Sequence, residues 1–266
     1  MPPAPATATA TATAGSDARP TSPRRVQLFV TCLVDRFYPG VGDAVVSVLE
    51  RLGVEVIVPS DQTCCGQPAF NGGFTGEAAA MARHTIDVLT ARPDPVVVPS
   101  GSCADMIVNH YPGLFRGDDP YAARARDLAA RTYEFSQFLV DVLGVTPAPC
   151  PGGPRLAYHA SCHGLRGLGL HDQPRRVLQA VAGDRACALP DAEVCCGFGG
   201  LFAVKMPGIS GAMLDAKLDA IATSGAEAVV ATDVSCLMHI GGGLHRRGSA
   251  VRVLHIAEAV AGARRA

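Results

Sequence analysis

Thr63-Cys64-Cys65-Gly66-Gln67-Pro68-Ala69-Phe70 decides how this chain is read, because its centre recurs as Val194-Cys195-Cys196-Gly197-Phe198. Successive side chains on a strand point to opposite faces, so two adjacent thiols cannot share one face of a sheet. Each pair therefore belongs on a loop and faces something that takes several sulfurs, most simply a metal centre. The following glycine permits positive φ and close approach of the backbone, so that amide N–H groups can reach sulfur.

Outward from each pair, the same order of signals appears twice. In the first half, apolar, β-branched runs at Val26–Val30, Val54–Val58 and Val96–Val98 lead to Cys32, Cys64-Cys65 and Cys103. In the second, Leu156–His159, Ala186–Leu189 and Ala228–Ala231 lead to Cys162, Cys195-Cys196 and Cys236, and Val251–Leu254 adds a further strand. Between them the 3.6-residue period predicts helices over Gly42–Leu52, Glu77–Thr90, Gln173–Val181, Met213–Ala222 and Ile256–Val260, and a polar, alanine-rich helical region over Tyr121–Leu143.

Corresponding cysteines are offset by 130, 131, 131 and 133 positions, the mark of a duplication. The expected fold is α/β with two tandem pseudo-repeats, each a mostly parallel sheet flanked by helices. The cysteine loops sit at the strand C-terminal ends, where open α/β sheets bind ligands. The expected boundaries are a disordered Ala/Thr/Pro tail over 1–24, repeats over 25–146 and 155–266, and a proline- and glycine-rich linker over 147–154.

Composition narrows the function. A chain of 266 residues can bury a core without covalent staples. With 23 basic against 24 acidic residues it carries no electrostatic footprint for nucleic acid or an anionic membrane. The N-terminal run lacks the basic and apolar regions of a signal peptide, and no apolar segment is long enough to span a bilayer. The chain reads as cytoplasmic, where ten cysteines point to metal or redox chemistry rather than to disulfides.

Four thiolates per repeat suit an iron–sulfur cluster or zinc and not magnesium or calcium. Zinc sites usually use Cys-x₂₋₄-Cys knuckles, which are absent here, and a vicinal pair bites a single ion awkwardly. A cluster several ångströms across can take the two thiolates on different irons. The ligand set expected from this reasoning is Cys32, Cys64, Cys65 and Cys103 in one repeat, and Cys162, Cys195, Cys196 and Cys236 in the other. No Gly-x-Gly-x-x-Gly follows a strand, so a dinucleotide site is not supported.

These motifs, together with Phe29–Asp35, Pro99–Cys103, Cys195–Gly200 and Cys236–Gly242, resemble the cysteine-rich domains of heterodisulfide reductase, the glycolate oxidase iron–sulfur protein and the lactate utilization protein A family. The last is the nearest match, over about Val26–Val260. The resemblance implies a non-autonomous iron–sulfur electron-transfer subunit that oxidises L-lactate to pyruvate together with lactate utilization proteins B and C. It implies one cluster per repeat, expected to be [4Fe–4S], with a different cluster, or zinc in one repeat, left open. The broader pattern ends in Cys-x-x-Cys, giving a fifth thiolate for a noncubane cluster. Here Met106 and His239 stand in its place. A thiol–disulfide redox protein like heterodisulfide reductase and a structural zinc module are the rival readings.

Among the remaining residues, His239 is a candidate ligand one helical turn beyond Cys236, and Met106 reads as core. His159 and His163, flanking Cys162, are candidates for hydrogen bonding to the centre or for carrying protons. Cys150 and Cys187 have no counterpart in the other half and read as non-ligands. Lys205 reads as solvated.

Overall fold

The computed structural model describes residues 23–262. All but the last two residues of the expected N-terminal tail lie outside them. Among the described residues, eight strands form two four-stranded sheets. The first holds β1 (Arg25–Leu28), β2 (Glu55–Ile57), β3 (Val96–Val98) and β4 (Thr132–Glu134) in the order β2-β1-β3-β4. The second holds β5 (Leu156–Tyr158), β6 (Ala186–Cys187), β7 (Ala228–Ala231) and β8 (Arg252–His255) in the order β6-β5-β7-β8. Every pairing is parallel, with Val26 opposite Val56, Val97 opposite Tyr133 and Val229 opposite Val253.

The central strands β3 and β7 are buried along their whole length. Helices cover both of their faces, so these strands read as unbroken apolar runs without alternation. The chain leaves β1 toward β2 on one side and returns to β3 on the other, and β5 does the same with β6 and β7. The crevice at such a reversal of direction is where ligands sit in open α/β sheets. Cys32 follows β1 and Cys103 follows β3; Cys162 follows β5 and Cys236 follows β7.

One expected element changes. The region Tyr121–Leu143 is not a continuous helix: helix Tyr121–Ala130 ends, β4 pairs with β3, and helical structure resumes at Phe135. Thr132-Tyr133-Glu134 is too short to show a period of two, and its β-forming Thr and Tyr were the only local signal. The N–H of Ser136 then donates to the Glu134 carboxylate at 2.8 Å, capping the helical turn that follows.

The halves share a core. Helix Ile256–Gly262, from the end of the second repeat, lies on helix Pro39–Arg51 of the first as well as on helix Gln173–Ala182 of its own repeat. Helical residues 135–142, from the end of the first repeat, lie in turn on Gln173–Ala182. One apolar cluster therefore runs through Val45, Leu49, Phe138, Val177, Val181 and Ile256. Burying each such side chain contributes about 1.5–3 kcal/mol. Nearer the cysteines, Val34 packs with Val234 on one side of the junction. At the corresponding place on the other side a Cβ on Gly101 would lie 3.0 Å from the backbone N of Gly164, so the two repeats meet there through glycines.

Candidate metal centre

All eight predicted cysteines open onto one cavity of about 180 Å³ between the two sheets' C-terminal edges. Cys32 starts helix Cys32–Phe37, Cys103 lies in the short helix Gly101–Asp105, and Cys236 lies in the first turn of helix Val234–Arg246. Cys64-Cys65 and Cys195-Cys196 occupy the loops beyond β2 and β6. Gly66 and Gly197, at φ +86° and +89°, turn the chain immediately after each pair, and the N–H of Gly197 points at Cys195 Sγ at 3.4 Å. Only a residue without Cβ holds that backbone conformation without strain.

Within each repeat the thiols form a chain of contacts. Cys32 touches Cys64, Cys64 touches Cys65, and Cys65 Sγ lies 3.4 Å from Cys103 Sγ. In the second repeat Cys162 touches Cys195, Cys195 touches Cys196, and Cys196 touches Cys236. Cys64 and Cys195 are held below the ordinary thiol range by their two sulfur neighbours and by the N–H of the following glycine, against their burial. Cys32, Cys65, Cys162 and Cys196 are pushed up by sulfur neighbours and burial together. Cys236 is drawn down to about 6, first by Cys196 and also by the nearby His159, against its burial. Four thiols crowded against one another suit a metal centre, because the cation removes the protons and turns mutual repulsion into shared coordination.

The histidines separate. His159, just past β5, is completely buried, and its ring and the sulfurs of Cys196 and Cys236 offer ligand atoms within 4.8 Å of one another. His163 lines the cavity from the second repeat but is tied to the first: its Nδ1 lies 2.6 Å from Asp105 Oδ2, and its Nε2 is 3.4 Å from Gln67 Nε2. The hydrogen bond with Asp105 raises the His163 pKa against its burial. His239 is turned to Ser210 Oγ at 3.4 Å and meets the Phe198 ring edge-on, away from the cavity wall. Met106 is fully buried in the apolar core. Cys150 and Cys187 rest against the carbonyls of Gly262 and Leu156, outside the cavity, and Lys205 is exposed.

Two further site residues were not expected from the sequence. Asp233, buried at the end of the β7 loop, accepts from the N–H of Ser102 at 2.7 Å and from Ser100 Oγ at 3.2 Å, and so pins the Cys103 helix of one repeat to the Cys236 helix of the other. Lys217 is buried beside the second quartet, with Nζ donating to the Asp191 carbonyl. Burial lowers its pKa while the thiols of Cys196, Cys195 and Cys236 oppose that shift. The signal for Lys217 was readable: Leu214, Lys217, Leu218 and Ile221 follow helical spacing, which places a lysine in the inward stripe.

Among the described residues, no helix is long and apolar enough to cross a membrane. The model of the CCG cysteine-rich domain matches twice, at residues 26–108 and 156–241. The chain is similar to lactate utilization protein A of an Exiguobacterium species, 48% identical over 88% of this chain and 95% of that protein. It is similar also to lactate utilization protein A of Geobacillus kaustophilus, at 49% over 88% and 97%, and to that of Bacillus cereus, at 46% over 88% and 97%. With the motif doubled and nearly the whole of each relative covered, the chain belongs to the lactate utilization protein A family.

Proposed function

We propose that this chain is an iron–sulfur electron-transfer subunit of a cytoplasmic complex that oxidises L-lactate to pyruvate, with each cysteine quartet holding one [4Fe–4S] cluster. The observation that carries the reading is the convergence of eight sulfurs, four from each repeat, on a single cavity. The names of the relatives supply the link to lactate. A cluster fits better than a single ion because in each repeat the donors are one adjacent pair plus two outlying thiols, spread over three strand ends.

When bound, such a cluster stores one electron. Lactate oxidation releases two, so two centres on one cavity match a two-electron donor. The chain's own residues shape the site: Gly66 and Gly197 let the cysteine loops turn under the centres, Asp233 locks the repeats at the cavity floor, and Gln67 with His163 joins them at its edge. Lactate utilization proteins B and C are the partners in this reading. The exposed Val204, Met206 and Ile209, in the segment that follows the cavity-lining Gly200, suit a protein surface.

The test is anaerobic purification followed by iron, sulfide and zinc analysis of the whole chain and of Cys65→Ser and Cys196→Ser. The reading expects iron and sulfide in the whole chain, about half remaining in each variant, and L-lactate oxidation by the reconstituted complex only when this chain is present. Zinc alone, or full lactate oxidation without the chain, would overturn it.

A further inference from the structure

The two repeats differ where their centres meet the sheets. Phe29 follows β1 and His159 follows β5, each three positions before the first cysteine of its quartet. Their backbones are equivalent: the N–H of Phe29 donates to Val97 at 3.0 Å and that of His159 to Val230 at 2.8 Å. Phe29 packs with Cys65 and Cys103 in an apolar cluster. His159 brings an imidazole to the same place in the second repeat, against Cys196 and Cys236.

That imidazole is fully buried, and neither ring nitrogen has a hydrogen-bond partner. A buried polar group left unsatisfied is costly, and such groups are uncommon in folded proteins. Here the unoccupied nitrogens share a neighbourhood with two buried thiols, and thiolate with imidazole is a donor set for soft and borderline metals. We propose that His159 is a ligand to the metal centre of the second repeat, alongside Cys196 and Cys236, so that this centre has mixed imidazole–thiolate coordination while the first is held by thiolates alone. The inference rests on the reading that the quartets hold metal. A neutral imidazole donates less charge than a thiolate, and histidine ligation raises the potential of an iron–sulfur centre. Where both centres are clusters, the second accepts electrons from the first.

The experiment uses the whole chain purified anaerobically, with the Cys65→Ser variant to isolate the second centre. X-ray absorption at the edge of whichever metal is bound reads the donor atoms. Pulsed electron paramagnetic resonance of the reduced protein, grown with ¹⁴N- or ¹⁵N-histidine, reads directly bonded imidazole nitrogen when that metal is iron. The expected result is one imidazole in the coordination shell, a strong nitrogen coupling that changes with the isotope, and loss of both in His159→Phe. Phe29 shows that the scaffold accepts phenylalanine at this place, and the isotope comparison on the unsubstituted chain needs no variant to fold. Metal held in the second repeat with sulfur donors only, or a nitrogen signal unchanged in His159→Phe, would overturn the inference and leave the proposed function standing. Absence of metal from both repeats would overturn both.

Discussion

Glu134 and His255 end β4 and β8, and each accepts a hydrogen bond from the backbone N–H two residues further on, Ser136 to Glu134 Oε2 at 2.8 Å and Ala257 to His255 Nδ1 at 3.1 Å. One duplicated position thus holds an acid in the first repeat and a base in the second, both completely buried. Burial, with Asp233 adding to it against the capping hydrogen bonds, raises Glu134 to about 7, and burial lowers His255 to about 4.

The signs are opposite. Glu134 binds its proton more tightly when folded, so its contribution is full below pH 4.5 and is lost as pH rises to about 7. His255 binds its proton more weakly when folded, so its contribution is full above pH 6.5 and is lost as pH falls to about 4. Urea unfolding of Glu134→Gln should match the parent near pH 4.5 and exceed it at pH 8, by an amount on the order of 3 kcal/mol. His255→Gln should gain instead as pH falls below 6.5. Parallel curves for parent and variants would contradict both.

Replacement of the two motif glycines should not be equivalent. A Cβ at Gly197 would lie 2.6 Å from the carbonyl oxygen of Ser210, whereas at Gly66 the nearest atom, the carbonyl of Ala78, is 3.3 Å away. Both positions have positive φ, which costs about 1–2 kcal/mol for alanine. Gly197→Ala adds a backbone collision to that cost. Thermal unfolding should place Gly197→Ala clearly below Gly66→Ala, with metal loss confined to the repeat that carries the change.

Asp233→Ala leaves the N–H of Ser102 and the hydroxyl of Ser100 without their acceptor across the junction. Hydrogen bonds to a charged group are worth about 1.5–3 kcal/mol each, so the variant should lose several kcal/mol in denaturant titration. Metal binding in the first repeat should weaken although no cysteine has changed, because Ser102 is the neighbour of Cys103.

Lys217 occupies the place taken by Thr85 in the first repeat, as Met213 over Gly197 matches Met81 over Gly66. Its buried charge favours an added electron nearby. Lys217→Met should lower the potential of the second centre alone by an amount on the order of 1 kcal/mol at an effective dielectric near 20, about 40 mV for a one-electron couple. An unchanged redox titration would remove Lys217 from any role in setting that potential.

Most of the architecture was readable because duplication repeated each local signal at a fixed offset. Strands such as Val96–Val98 and Ala228–Ala231 are buried on both faces, and that burial is written directly into their composition. The strand Thr132–Glu134 was hidden by brevity, since three residues cannot display a period. The cysteines were legible by type and spacing. Asp233 and the proximity of His159 to Cys196 were not, because they depend on how one segment approaches another far away in sequence, and a single buried polar residue leaves no periodic trace.

The closing helix of the second repeat rests on the opening helix of the first, and the closing residues of the first rest on the opening helix of the second. Severed from its neighbour, the first unit would lose the helix that lies across its own opening helix, and the second would keep its closing helix but lose the cover that residues 135–142 add. Held in one chain, each unit is closed in part by the other, while Phe29 and His159 are free to differ.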